Sequence, residues 1–118
     1  MNLKIKKNLV ILKYIKNKGQ KMSNVVIVAK VKIKKEFKEE VYTNLVELHK
    51  STHTLDIGCL QYDLHKDLDD ENSFVFIETW ENQNLLDSHM STEHFLTFVK
   101  KVEDKLENLD ITKLEKLI

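Results

Sequence analysis

The run Glu78–Phe95, "ETWENQNLLDSHMSTEHF", gathers a carboxyl group, an indole and two imidazoles: Glu78, Trp80, His89 and His94. In a site that excludes water, a carboxylate or a neutral imidazole can take a proton from a weak acid such as a phenol, while an aromatic side chain holds a flat ring in place. The two histidines are five residues apart. On an unbroken helix that spacing turns them roughly 140° away from each other, whereas four residues would nearly superimpose them. They can share a site only if the helix breaks between them. Ser91 and Thr92 are capping residues suited to such a break, and Glu93 suits the first turn of a following helix.

The elements that must position these groups can be read from periodicity. Val25–Ile33 alternates over its second half, with Ala29, Val31 and Ile33 inward and Lys30 and Lys32 outward, as a strand does. Lys34–Thr52 carries Phe37, Val41, Leu45 and Leu48 at helical spacing. Gly58 ends that pattern, and "CLQYDLH" reads as a second strand with Leu60, Tyr62 and Leu64 on one face. A polar turn, "KDLDDEN", leads into "SFVFIETW", a third strand completing a hairpin. Period two puts Phe74, Phe76, Glu78 and Trp80 on one face and Val75, Ile77 and Thr79 on the other. Glu78 therefore stands in an aromatic row, where desolvation would raise its pKa unless a donor meets it. Asn82–Met90 reads as a short helix, a second helix runs to about Leu106, and "LDITKLEKLI" reads as a last strand. The order is that of an α+β, ferredoxin-like βαββαβ fold. Both faces of the third strand are apolar, so helices cover one and a second copy, sheet against sheet, is the simplest cover for the other.

Composition narrows the function classes. The chain has 118 residues and 42% hydrophobic content, enough for one domain with one core. Seven of its 19 lysines fall in residues 1–21, which hold no acid; the remaining residues then have 12 lysines against 19 acids, a net of −7. That acidic body, without arginine, is a poor nucleic-acid binder. Residues 1–21 are expected to be a basic N-terminal extension outside the fold, with Met22 as the natural start and the domain over 22–118. The apolar core of that extension, "LVIL", is too short for a secretion signal, and no stretch is long enough for stable membrane insertion. The single Cys59 excludes internal disulfides, and a cytoplasmic location is expected. Glycine occurs only at 19 and 58, so no phosphate-cradling or dinucleotide-binding loop is present. His49 and His53 have i,i+4 metal-ligand spacing, but the sequence sets no third ligand beside them, and a surface pair is expected. His65 ends the second strand and is expected to be exposed, and nothing basic adjoins Cys59 to activate it.

The segment Asp56, Gly58-Cys59, Tyr62-Asp63, Glu78, Trp80, His89, Ser91–Thr92 and His94-Phe95 resembles the pattern of the antibiotic biosynthesis monooxygenase family. Glu93 departs from it, since many members carry proline there, and either residue suits a first helical position. The resemblance implies a homodimeric α/β barrel with a cavity between sheet and helices. It also implies cofactor-independent oxidation of a quinol or small phenol by O₂. Related activities are isomerisation of a phosphorylated autoinducer-2-type signal and haem degradation. The haem-degrading members use a first-strand Asn, where this chain has Ala29. A non-enzymatic small-molecule-binding module is a further alternative. Together with the residue chemistry, this assigns catalysis to His94, Glu78 and His89 and an aromatic substrate's ring to Trp80, Phe76, Phe74 and Phe95, with no metal and no cofactor. His94 or Glu78 is expected to remove the phenolic proton, His94 because a helix start suits a neutral, proton-accepting imidazole.

Overall fold

The computed structural model describes residues 23–118, so the extension expected over residues 1–21 lies outside the described residues. Strand β1 spans Val25–Ile33. A 3-10 turn at Lys35–Phe37 leads into helix α1, Lys38–Leu55. Strands β2 (Cys59–Lys66) and β3 (Ser73–Trp80) form the hairpin. Helices α2 (Gln83–Met90) and α3 (Glu93–Val102) follow, and β4 (Leu106–Glu115) closes the sheet. The four strands are antiparallel in the order β2-β3-β1-β4, the ferredoxin-like arrangement expected from the sequence.

The core lies between one face of this sheet and the helices. The alternate residues Val25, Ile27, Ala29, Val31 and Ile33 of β1 are all buried, as are Phe74, Phe76, Glu78 and Trp80 of β3. From α1, Val41, Leu45 and Leu48 meet them, which is the spacing that one helical stripe requires. On the opposite face Val26, Val28, Val75 and Ile77 are only half-buried in the single chain.

Three boundaries differ from the periodic reading. Helix α1 runs on to Leu55, where the Asp56 amide still donates to Thr52 at 3.1 Å. Helix α3 stops at Val102, before the expected Leu106, because the chain turns there: the Lys105 amide donates to the Val102 carbonyl at 2.9 Å, and Leu106 pairs with Ile33 as the start of β4. In β2 a bulge defeats simple alternation. Cys59 pairs with Trp80 and Tyr62 with Glu78, so two residues that are three apart share a face. Leu60, expected beside Tyr62, is instead 58% exposed.

Gly58 turns the chain from α1 into β2 with φ +81, the left-handed region that glycine alone enters freely. The turn also presses against α2, where a Cβ at position 58 would lie 2.2 Å from Leu85 Cδ1 and 2.8 Å from Leu85 Cβ. Gly58→Ala should therefore cost at least about 2 kcal/mol from backbone strain and overpacking together. Urea unfolding of wild type and variant measures this, and a loss below about 0.5 kcal/mol would contradict the close approach.

Candidate active site

Helices α2 and α3 meet at the predicted break. Asn82 caps α2 by accepting from the Leu85 amide, and Thr92 caps α3 by accepting from the Phe95 amide. Each such cap is worth about 1 kcal/mol. The Thr92 hydroxyl also donates to the His89 carbonyl at 2.7 Å, tying the end of one helix to the start of the next.

The break brings both histidines to one carboxylate, Asp56, which the extra residues of α1 deliver to the loop before Gly58. His89 Nδ1 donates to Asp56 Oδ2 at 2.5 Å, and both side chains are almost wholly buried. His94 Nε2 lies 2.7 Å from Asp56 Oδ1, close enough for an ion pair but out of line for a hydrogen bond. The carboxylate accepts from Nδ1, so the proton of neutral His89 sits on Nδ1 and Nε2 keeps its lone pair. That lone pair faces the Tyr62 hydroxyl at 3.5 Å. The His89 ring is held among Trp80, Phe95 and Tyr62, with centroids 4.6, 5.0 and 5.3 Å away.

A cavity of about 70 Å³ opens between sheet and helices beside His89. Its walls are apolar, from Ile27, Phe76, Met90, Phe95 and Val102 among others, and three polar side chains join them: Tyr62, Glu78 and His89. Glu78 accepts a hydrogen bond from the Trp80 indole N–H at 2.9 Å. Of the residues singled out in the sequence, Glu78, His89, Phe76 and Phe95 border the cavity. Trp80 packs behind His89 and Glu78 without lining it, and Phe74 lies toward Tyr42, with ring centroids 5.3 Å apart. His94 faces a separate outer groove with Glu47, Ser51 and Lys101, so it does not converge on Glu78. It reaches the cavity only through Asp56 and His89. Asp56 and Tyr62 were the residues not assigned from the sequence. Asp56 had a signal, since it stands two residues before Gly58-Cys59 in the quoted pattern and two buried imidazoles need an acceptor.

Burial sets the protonation of the site. It pushes Glu78 up to about 7, with the Trp80 hydrogen bond opposing. It also lifts the Tyr62 hydroxyl well above its ordinary value, with the Glu78 charge adding to the effect. Burial holds His89 below 6.5, against the opposing effect of its hydrogen bond to Asp56, so its imidazole is neutral at pH 7. Cys59 is pushed up to about 11 by burial and by the Glu78 and Asp56 charges, so its thiol is no nucleophile at neutral pH. Among the described residues, two groups of side chains have metal-ligand composition, Asp56–His89–His94 and His49–His53–Asp63. In the first, His89 is hydrogen-bonded to Asp56 at 2.5 Å and His94 lies 2.7 Å from the same carboxylate, both closer than two ligands of one ion stand. Ligands around one zinc-sized ion stand roughly 3.3 Å apart.

Fold and site define a ferredoxin-like α+β domain with an apolar cavity served by buried acid–base groups. The chain belongs to the antibiotic biosynthesis monooxygenase family, whose sequence model matches residues 24–101. It is 33% identical over 92 residues to the Bacillus subtilis protein named "Putative monooxygenase YcnE", covering 77% of this chain and 96% of that one. It is 34% identical over 82 residues to the uncharacterized protein sll1783 of Synechocystis, covering 70% of this chain but only 55% of that relative's length. The crystal structure of PA3566 from Pseudomonas aeruginosa superposes with a TM-score of 0.76 at 33% identity, over 85% of this chain and 100% of that one.

The opposite shifts of Glu78 and His89 give a testable pH signature. A carboxyl whose folded pKa is raised contributes stability that is fully present below about 4.5 and is lost as pH rises through about 7. His89, lowered on folding, contributes stability that is present above 6.5 and lost as pH falls through its folded value. Glu78→Gln removes the first dependence and leaves the second. Relative to the variant, wild type should lose up to about 3 kcal/mol between pH 4.5 and 8. Urea unfolding across that range checks it, and a pH-independent difference between the two proteins would refute a protonated, buried Glu78.

Proposed function

We propose that the chain is a cofactor-independent monooxygenase that oxidises a single-ring quinol or phenol with O₂. The observation that carries this reading is the cavity itself: apolar walls, three polar groups, and an imidazole whose tautomer a buried carboxylate fixes. That is the Asp–His arrangement of a general base. His89 Nε2 takes the phenolic proton, and Glu78 holds or releases a second proton near neutral pH. The anionic ring then supplies electrons to O₂; one oxygen atom enters a ring carbon and the other leaves as water. The balance is phenol plus O₂ to quinone plus water, with all four electrons from the substrate.

Size supports one ring over a polycycle. The cavity's 70 Å³ is below the roughly 150 Å³ of a cavity that accepts benzene, so Met90 and Phe95 must give way as the ring enters. The phosphorylated-signal alternative is disfavoured because no lysine is among the described residues lining the cavity. His94 stands at the outer side of Asp56, where its charge when protonated would stabilise the carboxylate that holds His89.

A second copy of the chain completes the fold in this proposal by covering Val26, Val28, Val75 and Ile77. Light scattering should give the mass of a dimer, and Val28→Lys with Ile77→Lys should convert it to monomer. A monomeric wild type would overturn this part.

Oxygen uptake with a panel of single-ring quinols tests the activity. His89→Gln should lower kcat about 10²- to 10⁴-fold, as expected for removal of a general base. Asp56→Asn should approach the same loss by freeing the tautomer. His94→Ala should be milder, about tenfold, and partly rescued by imidazole buffer. Absence of uptake by wild type would sink the reading, and full activity of His89→Gln would sink the assigned base.

A further inference from the structure

A third ligand that the sequence did not place beside His49 and His53 is present in the fold. Both histidines lie on one face of α1, with ring centroids 4.4 Å apart. Strand β2, at the sheet edge, brings Asp63 to them, and one donor atom from each of the three side chains lies within 4.8 Å of the others. His53 and Asp63 are exposed and His49 is half-buried, so an ion has access.

We propose that His49, His53 and Asp63 form a binding site for a divalent transition metal of the zinc type, with water as fourth ligand. Two imidazole nitrogens and one carboxylate oxygen are the donor set of an open tetrahedral site. Their orientation is prepared. His53 Nε2 lies 2.8 Å from the Tyr62 carbonyl, which can only accept, so Nε2 carries the proton and Nδ1 keeps the lone pair for a metal. An N–H bound to a backbone carbonyl behind the ligand is the support that metal-binding imidazoles commonly have. Asp63 receives the Gln61 amide on Oδ2 at 2.9 Å, which leaves its other oxygen for the ion. Ligands around zinc stand roughly 3.3 Å apart, so closure takes about 1.5 Å of side-chain movement at most.

Bound there, the metal clamps the end of α1 to the edge of the sheet. His53 is three residues before Asp56, and the loop between the two clamped elements carries both Asp56 and Gly58. None of the three side chains lines the cavity, so the ion's direct effect is on stability.

Metal-free, tag-free full-length chain should be titrated with Zn²⁺ by calorimetry and with Co²⁺ by visible absorption. The expected result is one saturable equivalent per chain, with the intense d–d bands of four-coordinate Co²⁺. His49→Ala and Asp63→Asn should each weaken binding at least tenfold, while His94→Ala should bind as wild type does. Zn²⁺ should raise the thermal midpoint of wild type but not of His49→Ala, whose metal-free midpoint should match that of wild type. Absence of one-equivalent binding, binding that survives both His49→Ala and Asp63→Asn, or binding abolished by His94→Ala would each overturn the proposal. None of these readouts depends on oxygen uptake, so the metal site and the monooxygenase reading stand or fall separately.

Discussion

The bond between Asp56 and His89 is the interaction around which the rest of the site is arranged. A buried imidazole without a partner would leave a polar N–H in an apolar core, at a cost of about 1–3 kcal/mol. Asp56 removes that cost and fixes which nitrogen faces the cavity. The carboxylate in turn must be carried into the interior, and three features do so: the last turn of α1, the left-handed Gly58 and the close seat of Leu85 against that glycine. Local backbone geometry and the chemistry of the cavity are thus parts of one arrangement.

The polar groups of the cavity are shifted in different directions by a common cause. Burial favours neutral forms, so it holds protons on Glu78 and Tyr62 and keeps one off His89. At neutral pH the cavity then contains a neutral imidazole and a carboxyl close to balance between its two forms. Environments that push titratable groups apart in this way are how one site separates acid from base roles.

Much of this was legible in the sequence, for identifiable reasons. Period two in "SFVFIETW" placed Glu78 inward because a sheet strand has no other way to arrange an aromatic row. Ser91 and Thr92 marked the helix break because hydroxyl side chains serve helix ends: Thr92 accepts from the Phe95 amide, and Ser91 donates to the Asp87 carbonyl at 3.2 Å. What stayed hidden was set by pairing between distant segments. The bulge at Cys59/Gln61 leaves no periodic trace, since one extra residue in eight looks like ordinary irregularity. The direction of His94 depends on how two helices cross at their shared cap. Asp63 beside His49 and His53 is likewise a product of strand–helix packing, invisible in one-dimensional spacing.

The bulge in β2 has a consequence for how such a site can change. Without Leu60, strand β2 would pair residue for residue with β3, and Cys59 and Tyr62 would still face inward. The surplus residue is therefore accommodated locally, with Leu60 turned outward, without altering which side of the sheet Cys59 and Tyr62 face. The edge strand can gain or shed a residue at this point while Cys59 stays opposite Trp80 and Tyr62 opposite Glu78, so the positions of Asp56 and of the cavity walls are insulated from length changes in the strand.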